Sequence, residues 1–377
     1  MFVVHKVVHG VKCTLILPVY VDDLLPIGDK VLTNNFEHWI HDYFEVTTPT
    51  DATYFLGLWL HHDRTTEYPW LTLDQHQFIK LILSRFTDIG STKATTPLSS
   101  SFRTLPNEEP KENNNPNFIQ VYQSKLGSLM YLMLGTRPDI AYTVGVLGRF
   151  LFNPSQDHMD AINQLFRYVD YISDLCLVYT KQNGGKVIDP TGYVDSNLAR
   201  EPTKSRSTRS YSFHLANAVF SWSSKLLPTI TSSTAEAEYM SLFNGGQQAA
   251  WLQNFYKELG LPLDSPITIY CDSQPAISIL KNEGDHTHSK HFKLKYHITR
   301  EWVDRKEINV EYVKTSSNIV DVLTKGPSAP STSASTEALG LQTLVSVLNP
   351  RDQTSFYLDA PDDRMTKEDF TALVYGD

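Results

Sequence analysis

Between residues 190 and 325 the chain alternates between segments with the period of a strand and segments with the period of a helix, and this order constrains the fold more than any other feature. Three strand-like runs are followed by a long helical run, a strand, two helices, a strand and a last helix. The strands are predicted at 190–195, 210–215, 217–222, 266–271 and 308–313, and the helices at 234–259, 274–282, 293–304 and 317–325. Strands interleaved with helices predict a mixed α/β domain with a five-stranded sheet and flanking helices.

Four acidic residues occupy the ends of these segments, where such a fold would gather them. Asp195 and Asp272 end the strands GYVD and TIYCD, Glu238 lies in the first turns of the long helix, and Asp321 lies in the last helix. Hydrolysis of a phosphodiester by two-metal catalysis needs two Mg²⁺ about 4 Å apart, and Mg²⁺ prefers carboxylate oxygens. Any one of these acids alone is more often a turn, cap or first-turn residue. The prediction of a metal site therefore depends on the four together.

Glu236 and Glu238 are alternatives for the helix-borne ligand. They are two residues apart, so their side chains point about 200° apart on a helix and only one can face the metals. The helical pattern alone does not choose between them.

Six stretches resemble, block after block, the ribonuclease H domain of copia-type retrotransposons. They read SWSSK from Ser221, SSTAEAEYM, WLQNFYKELG, YCDSQPAI, HSKHFKLKYHITRE and IVDVLTK. The resemblance implies a ribonuclease H-like fold and cleavage of the RNA strand of an RNA–DNA hybrid with two Mg²⁺ ions, for which Mn²⁺ could substitute. It also implies that Asp195, Glu238, Asp272 and Asp321 are the catalytic metal ligands, and that Glu236 is a neighbouring acid.

A basic stretch surrounds these acids and would hold the phosphates of the hybrid. The nucleic-acid-binding residues predicted from it are Arg206, Lys225, Lys290, Lys295 and Arg300, accompanied by Lys204, Arg209 and Lys293. At least half of these cations are equally explained as ordinary solvated charges. His291 and His297 flank the stretch, but the loop 314–317 before the last acid has no histidine, so we expect no catalytic histidine.

A second acidic feature is Tyr20-Val21-Asp22-Asp23, at a predicted tight turn between two strands in 11–30. With Phe55-Leu56-Gly57 downstream, it resembles the palm-domain signature of reverse transcriptases, which implies that Asp22 is a metal ligand and Asp23 its support. Only 19 residues precede Tyr20. The other palm aspartate and the fingers cannot fit there, so polymerase activity is expected to be absent and both acids vestigial.

The remaining segments complete a predicted division of the chain. Further strands are expected at 53–60, 69–73 and 174–180, and further helices at 74–86, with Asp74 as N-cap, and at 119–134, 139–152 and 157–172. The division comprises a truncated reverse-transcriptase palm and thumb (1–95), a linker (96–118), a helical connector (119–185), the ribonuclease H-like domain (186–327) and a low-complexity, acidic tail (328–377) that is mobile or loosely docked.

Composition limits the partners and the compartment. The net charge of −9 argues mildly against nucleic-acid binding, so contacts with a polyanion must come from a local basic patch. No run approaches the roughly 18 apolar residues of a membrane span, and charged residues interrupt the apolar N-terminus, which excludes a signal peptide. The widely spaced Cys13, Cys176 and Cys271 predict a reducing, intracellular location, cytoplasmic or nuclear, without disulfides or a zinc site.

Departures from the family pattern keep two other functions open. The chain has Asp195-Ser196-Asn197-Leu198 for D-x-D-W, Ser210 where a glycine is usual, and Lys290-His291-Phe292-Lys293 for K-H-x-D. One alternative is therefore an inert remnant that at most binds nucleic acid. Another is a transposase or recombinase of the same fold, which the SWSSK and YVDD stretches disfavour. The remainder of a Pol polyprotein is a further expected partner.

Overall fold

The computed structural model describes residues 1–47, 51–65, 69–108, 115–180, 189–197, 206–231, 233–281, 290–325, 329–344 and 347, and of 290–293 and 329–333 only the backbone. None of the helices in these ranges is long and apolar enough to cross a membrane.

The N-terminal unit is a small sheet covered by one helix. Its elements are β1 (Phe2–Val8), β2 (Val11–Leu17), β3 (Val19–Tyr20), β4 (Asp23–Leu24), β5 (Ile27–Gly28) and α1 (Lys30–Tyr43). β3 and β4 pair so that Tyr20 lies opposite Asp23, which confirms the predicted turn at Val21-Asp22. Pro18 and Pro26 fall between strands, where the missing N–H costs no ladder hydrogen bond.

A second unit begins with a hairpin and continues into helices. Its elements are β6 (Tyr54–Phe55), β7 (Leu58–Asp63), β8 (Trp70–Asp74), α2 (His76–Arg85), α3 (Pro116–Gly135), α4 (Ala141–Leu147), α5 (Gln156–Tyr171) and β9 (Leu175–Thr180). The predicted single strand 53–60 is wrong in its middle, because Leu56 and Gly57 have φ of 52° and 79° and form a two-residue hairpin turn. Gln75, not Asp74, is the N-cap of α2, although the Asp74 carboxylate accepts the N–H of His76 at 3.0 Å.

The four helices α2 to α5 enclose a core of large apolar side chains, including Leu126, Leu129, Ile162 and Phe166, all with no exposed surface. The described part of the predicted linker has neither helix nor strand beyond short turns, yet it packs against the helical core. Leu98 is buried in this core, because an apolar side chain in an irregular segment gains as much from burial as one in a helix.

A buried ion pair lies at the turn between α3 and α4. The guanidinium of Arg137 donates two hydrogen bonds, of 2.9 and 2.7 Å, to the two carboxylate oxygens of Asp139. The hydroxyl of Tyr168 on α5 donates to the same carboxylate at 3.0 Å. Arg137 has no exposed surface and Asp139 has 2%, so the two charges compensate each other inside the protein.

The C-terminal unit confirms the predicted ribonuclease H-like topology. Its elements are β10 (Thr191–Asn197), β11 (Thr208–Leu215), β12 (Ala218–Leu226), α6 (Thr234–Glu258), β13 (Ile267–Cys271), α7 (Gln274–Lys281), α8 (Lys290–Asp304) and β14 (Ile308–Tyr312). The strands lie in the order β12-β11-β10-β13-β14. The first three are antiparallel, while β13 and β14 are parallel to β10, which makes the five-stranded sheet mixed.

The predicted last helix, 317–325, is instead two short 3₁₀ turns, Thr315–Ser317 and Ile319–Leu323. The second turn is held from outside by tertiary hydrogen bonds. The Asn318 side chain donates to the carbonyl of Val194 at 3.0 Å, and Ser224 Oγ donates to the carbonyl of Leu323 at 2.5 Å. These contacts replace the hydrogen bonds that a longer helix would make within itself.

The expectation of a loosely docked tail is wrong for its first part. α9 (Ala329–Ala338) occupies the low-complexity stretch, and β15 (Leu341–Thr343) pairs with β9. Leu339 and Leu341 are almost wholly buried against Leu177 and Val219, and this burial outweighs the weak helical propensity of the serines and threonines before them. The acidic residues 348–377 lie outside the described residues.

A second five-stranded sheet, in the order β15-β9-β8-β7-β6, therefore takes its strands from three of the predicted segments. The helix α3 and the strand β9 contact the ribonuclease H-like unit. Trp222 on β12 donates its indole N–H to the carbonyl of Met133 on α3 at 3.1 Å, and the hydroxyl of Tyr179 on β9 donates to the carbonyl of Val219 on β12 at 2.8 Å.

Candidate metal centre

The sheet brings two of the predicted acids to the same edge. β10 and β13 are parallel with Val194 opposite Cys271, so the next residues, Asp195 and Asp272, leave the sheet side by side. Adjacent parallel strands with acids at their carboxyl ends form a concave site open to a ligand.

Helix α6 supplies the third acid. Gly245 lets the helix approach β10 closely, since a Cβ there would lie 2.5 Å from Val194 Cγ1. Glu238, about two turns earlier, is 5% exposed. Ligand atoms of Glu238, Cys271 and Asp272 all lie within 4.8 Å of one another. The thiol of Cys271 is a member of the site that the sequence pattern did not reveal, although it directly precedes Asp272.

Asp195 is the most constrained of the acids. It is 4% exposed, and Thr324 Oγ1 donates a short hydrogen bond to its carboxylate. Burial raises the pKa of Asp195 to about 7, and the negative charges of Asp321 and Asp272 add to this rise, while the hydrogen bond from Thr324 opposes it. The positive charge of Lys325 also opposes the rise, but it does not outweigh the cost of burying the Asp195 carboxylate.

Glu238 has the same electrostatic character. Burial raises its pKa to about 8, the charges of Asp195 and Asp272 raise it further, and contact with Ser196 lowers it in part. Its buried Oε2 has no hydrogen-bond partner among the described residues. A buried, unpartnered carboxylate oxygen beside other carboxylates fits a divalent cation, which would supply the missing charge and accept that oxygen as a ligand.

Asp321 approaches from the 3₁₀ turn Ile319–Leu323. Asp321 is more exposed than Asp195 and Glu238, and Lys325, one turn further on, forms an ion pair with its carboxylate. The Asn197 side chain donates to the carbonyl of Thr324 at 3.1 Å, so β10 holds the segment between these two residues. Neither Thr324 nor Lys325 was predicted as part of the site, although both stand in the IVDVLTK stretch.

Two departures from the family pattern have local structural roles. Asn197 is 8% exposed and acts as a donor to a backbone carbonyl, which an ionised aspartate cannot do. Ser210, 2% exposed, donates to the carbonyl of Asp195 at 3.4 Å. Both residues therefore support the strand that carries Asp195.

The predicted basic residues are dispersed around the unit. Lys225 is exposed at the end of β12, and Arg206 is half-buried. Lys295 Nζ lies 5.6 Å from the centre of the Phe243 ring, and Arg300 donates to the hydroxyl of Tyr296 at 3.0 Å. Lys204 and the side chains of Lys290 and Lys293 lie outside the described residues.

The vestigial polymerase acids stand apart from this site. Asp22 and Asp23 are both exposed at the β3–β4 hairpin. Within the described ranges, the cluster of potential metal ligands is the one that contains Glu238 and Asp272.

Comparison with known proteins gives several relatives, while no protein-family model matches the chain. It is 35% identical over 314 residues to the retrovirus-related Pol polyprotein from transposon TNT 1-94 of Nicotiana tabacum, which covers 82% of this chain and 23% of that protein. It is 31% identical over 315 residues to the corresponding polyprotein from transposon RE1 of Arabidopsis thaliana, with 83% and 21% covered. The chain thus spans about a fifth of the length of these curated relatives. Among solved structures, the RNase H1 from the halophilic archaeon Halobacterium salinarum NRC-1 matches 34% of this chain and 88% of that chain, with 15% identity and a TM-score of 0.26.

Proposed function

The chain belongs to the family of the copia-type, retrovirus-related Pol polyproteins of transposons, and we propose that its ribonuclease H-type domain cleaves the RNA strand of RNA–DNA hybrids with Mg²⁺. The observation that supports this most is the close approach of Glu238 to Asp272 and to Asp195, with a buried, unpartnered carboxylate oxygen on Glu238. A fold has no structural need for such an arrangement, because unpaired buried carboxylates destabilise it.

Asp195, Glu238, Asp272 and Asp321 would hold the ions. Two Mg²⁺ ions, when bound, activate a water molecule and stabilise the leaving oxygen of a phosphodiester, which leaves 3′-hydroxyl and 5′-phosphate ends. Carboxylates from two strands, a helix and a turn suit this purpose, since Mg²⁺ takes only a few protein ligands and keeps several waters.

The surrounding residues orient these carboxylates. The hydroxyl of Thr324 fixes one oxygen of Asp195, and the ammonium of Lys325 restrains Asp321 until a cation competes for it. Residues of this kind usually change metal affinity or activity by about 10–100-fold when they are replaced. Thr324 and Lys325 are accordingly positioning residues in this proposal.

The test is cleavage of a labelled RNA–DNA hybrid by the full chain with Mg²⁺, and in parallel with Mn²⁺. Asp272→Asn should lose more than the roughly 100-fold that an outer-shell substitution costs. Asp264→Asn makes the same chemical change on an exposed acid outside the site and should retain full activity. The absence of cutting above the Asp272→Asn level would refute the proposal, and salt-sensitive hybrid binding without cutting would then favour an inert remnant.

A further inference from the structure

A polar groove lies between helix α6 and the strands β11 and β12, next to the candidate metal centre. It has a volume of about 350 Å³. Six residues that line it carry the argument: Arg209, Lys225, Asn244, Gln247, Gln248 and Trp251. None of the described residues that line the groove is acidic. A groove of this size, with cations and amides but no carboxylate, suits an anionic organic ligand the size of one nucleotide.

Two cations of the groove lie directly opposite each other. Arg209 on β11 pairs with Lys225 on β12 in the antiparallel register, so the two side chains leave the same face of the sheet. Like charges in this relation repel and destabilise the pair. Neither side chain forms an ion pair with a described residue, and Arg209 is partly buried, which lowers the pKa of its guanidinium. Such an arrangement is relieved by a bound anion.

A third cation approaches from helix α8. The pKa of Lys295 is lowered by its burial and by the nearby charge of Arg209, so the two cations lie near each other. The Lys295 ammonium is 3.8 Å from Met240 Sδ and lies over the Phe243 ring, and it too has no described ion pair. The positive charges at this end of the groove are therefore close together and are not neutralised by described carboxylates.

An aromatic platform completes the groove. Trp251 is 55% exposed, and its ring stacks on Phe255 with centroids 5.1 Å apart and planes at 12°. The side-chain amides of Gln247 and Gln248 lie on the same helix within one turn. Bases of single-stranded nucleic acid stack on such rings, whereas the paired bases of a duplex present only their edges.

The groove and the metal centre are separated by one residue along the strand β10. Arg209 lies opposite Ser196, which follows Asp195 and contacts Glu238. Asp195 and Arg209 nevertheless point to opposite faces of the sheet, because neighbouring residues of a strand alternate. A nucleic-acid strand that crosses the end of the sheet would reach both the carboxylate site and the groove. The groove is therefore an additional contact and not a part of the carboxylate site.

We propose that this groove, the α6 groove, binds one unpaired nucleotide of a single-stranded polynucleotide, with a phosphate between Arg209 and Lys225 and the base stacked on Trp251. This goes beyond hybrid cleavage and does not depend on it. The chain would then bind single-stranded nucleic acid even where the metal ions are absent.

The test measures binding of short fluorescent oligothymidylate and oligouridylate to the full chain by anisotropy, in EDTA so that no cleavage intervenes. Trp251→Ala should weaken binding about tenfold, and Trp251→Phe should retain most of the affinity, because an aromatic face remains. Lys257→Gln, an exposed cation on the same helix outside the groove, is the charge control for Arg209→Gln. Arg209→Gln should reduce the slope of log affinity against log salt by about 0.7 between roughly 50 and 200 mM salt. The oligonucleotide that binds with the higher affinity shows whether the groove prefers DNA or RNA.

Three results would overturn the proposal. One is equal affinity of wild type and Trp251→Ala for both oligonucleotides. Another is an equal loss of slope for Lys257→Gln and Arg209→Gln. The third is the same dependence on Trp251 for a blunt duplex, whose bases cannot stack on the ring. A chain that binds the oligonucleotides as described but does not cut a hybrid would refute the proposed cleavage and leave the α6 groove intact.

Discussion

Trp222 donates its indole N–H to the carbonyl of Met133, and so joins the edge strand of the ribonuclease H-like sheet to the helix α3. The tryptophan belongs to the SWSSK stretch that suggested the family, but its structural role is the junction between two units. We expect Trp222→Phe to lower the free energy of unfolding by about 1 kcal/mol, because it leaves the carbonyl without its donor while most of the ring remains. Urea denaturation measures this, with the exposed Trp251→Phe as the control for ring replacement. An equal effect of both variants would contradict the role given to the hydrogen bond.

The buried pair of Arg137 and Asp139 should be the most sensitive ion pair among those described. Arg137→Met leaves an uncompensated carboxylate in the core and should lower the free energy of unfolding by about 3–5 kcal/mol. The exposed pair of Glu301 on α8 and Arg305, directly after the helix, offers a matched control. There Arg305→Met should cost less than about 1 kcal/mol. Similar losses at both positions would mean that burial of the Arg137 pair is not what determines its energy.

Glu238→Gln should stabilise the chain in EDTA at pH 8 or above. The substitution removes one of several mutually repelling acids, so the melting temperature should rise by about 1 °C, the shift that roughly 1 kcal/mol produces in a protein of this size. Added Mg²⁺ should reverse the order, because it stabilises the wild type by binding the folded state and the variant much less. Differential scanning fluorimetry with and without Mg²⁺ measures both effects. A variant that melts below the wild type in EDTA would mean that Glu238 is satisfied without a cation.

His214 should make the chain sensitive to acid. Burial lowers its pKa to about 4, so the folded state excludes the proton that the unfolded chain takes up near pH 6.5. The stability that depends on a neutral His214 is complete above pH 6.5 and is lost as the pH falls through about 4. His214→Gln should flatten the decline in free energy of unfolding over this range, whereas the exposed His297→Gln should not. Equal declines in both variants would assign the acid sensitivity to other groups.

Asn197→Asp restores the acid that the family pattern has at this position, and it should nevertheless destabilise this chain. An ionised carboxylate cannot donate to the carbonyl of Thr324, and it would add charge beside Asp195. We expect a loss of about 1–3 kcal/mol, measured by chemical denaturation. Asn35→Asp, at an exposed amide on α1, provides the control. A stabilised Asn197→Asp protein would mean that the residue at 197 is a chance departure.

The order of strands and helices could be predicted because each long element repeats its apolar residues over several turns or pleats. The helix α5 and the parallel strand β13, for example, carry the pattern over their whole length. The turn that holds Asp321 could not be predicted, since it depends on Asn318 and Asn197, whose partners are about 125 residues away in the chain. Local patterns contain no information on such long-range hydrogen bonds.

The same limit explains the other differences. All four predicted acids lie where the sheet, α6 and the last turn converge, yet the thiol of Cys271 and the hydroxyl of Thr324 were not expected there. Small polar residues next to an acid are too common in sequences to indicate a site. The docking of the tail was missed because Leu339 and Leu341 are isolated among serines, threonines and glycine, and only the tertiary structure provides the surface that buries them.

The pairing of β15 with β9 has a consequence for biosynthesis. β9 accepts a neighbour that is translated about 160 residues later, and the same sheet extends back to β6 near the start of the chain. Contacts of such long sequence separation form slowly and only once both partners exist. A ribosome must therefore release almost all of the described chain before the second sheet can close, and until then the other edge of β9 is a site at which chaperones can act or nascent chains can aggregate.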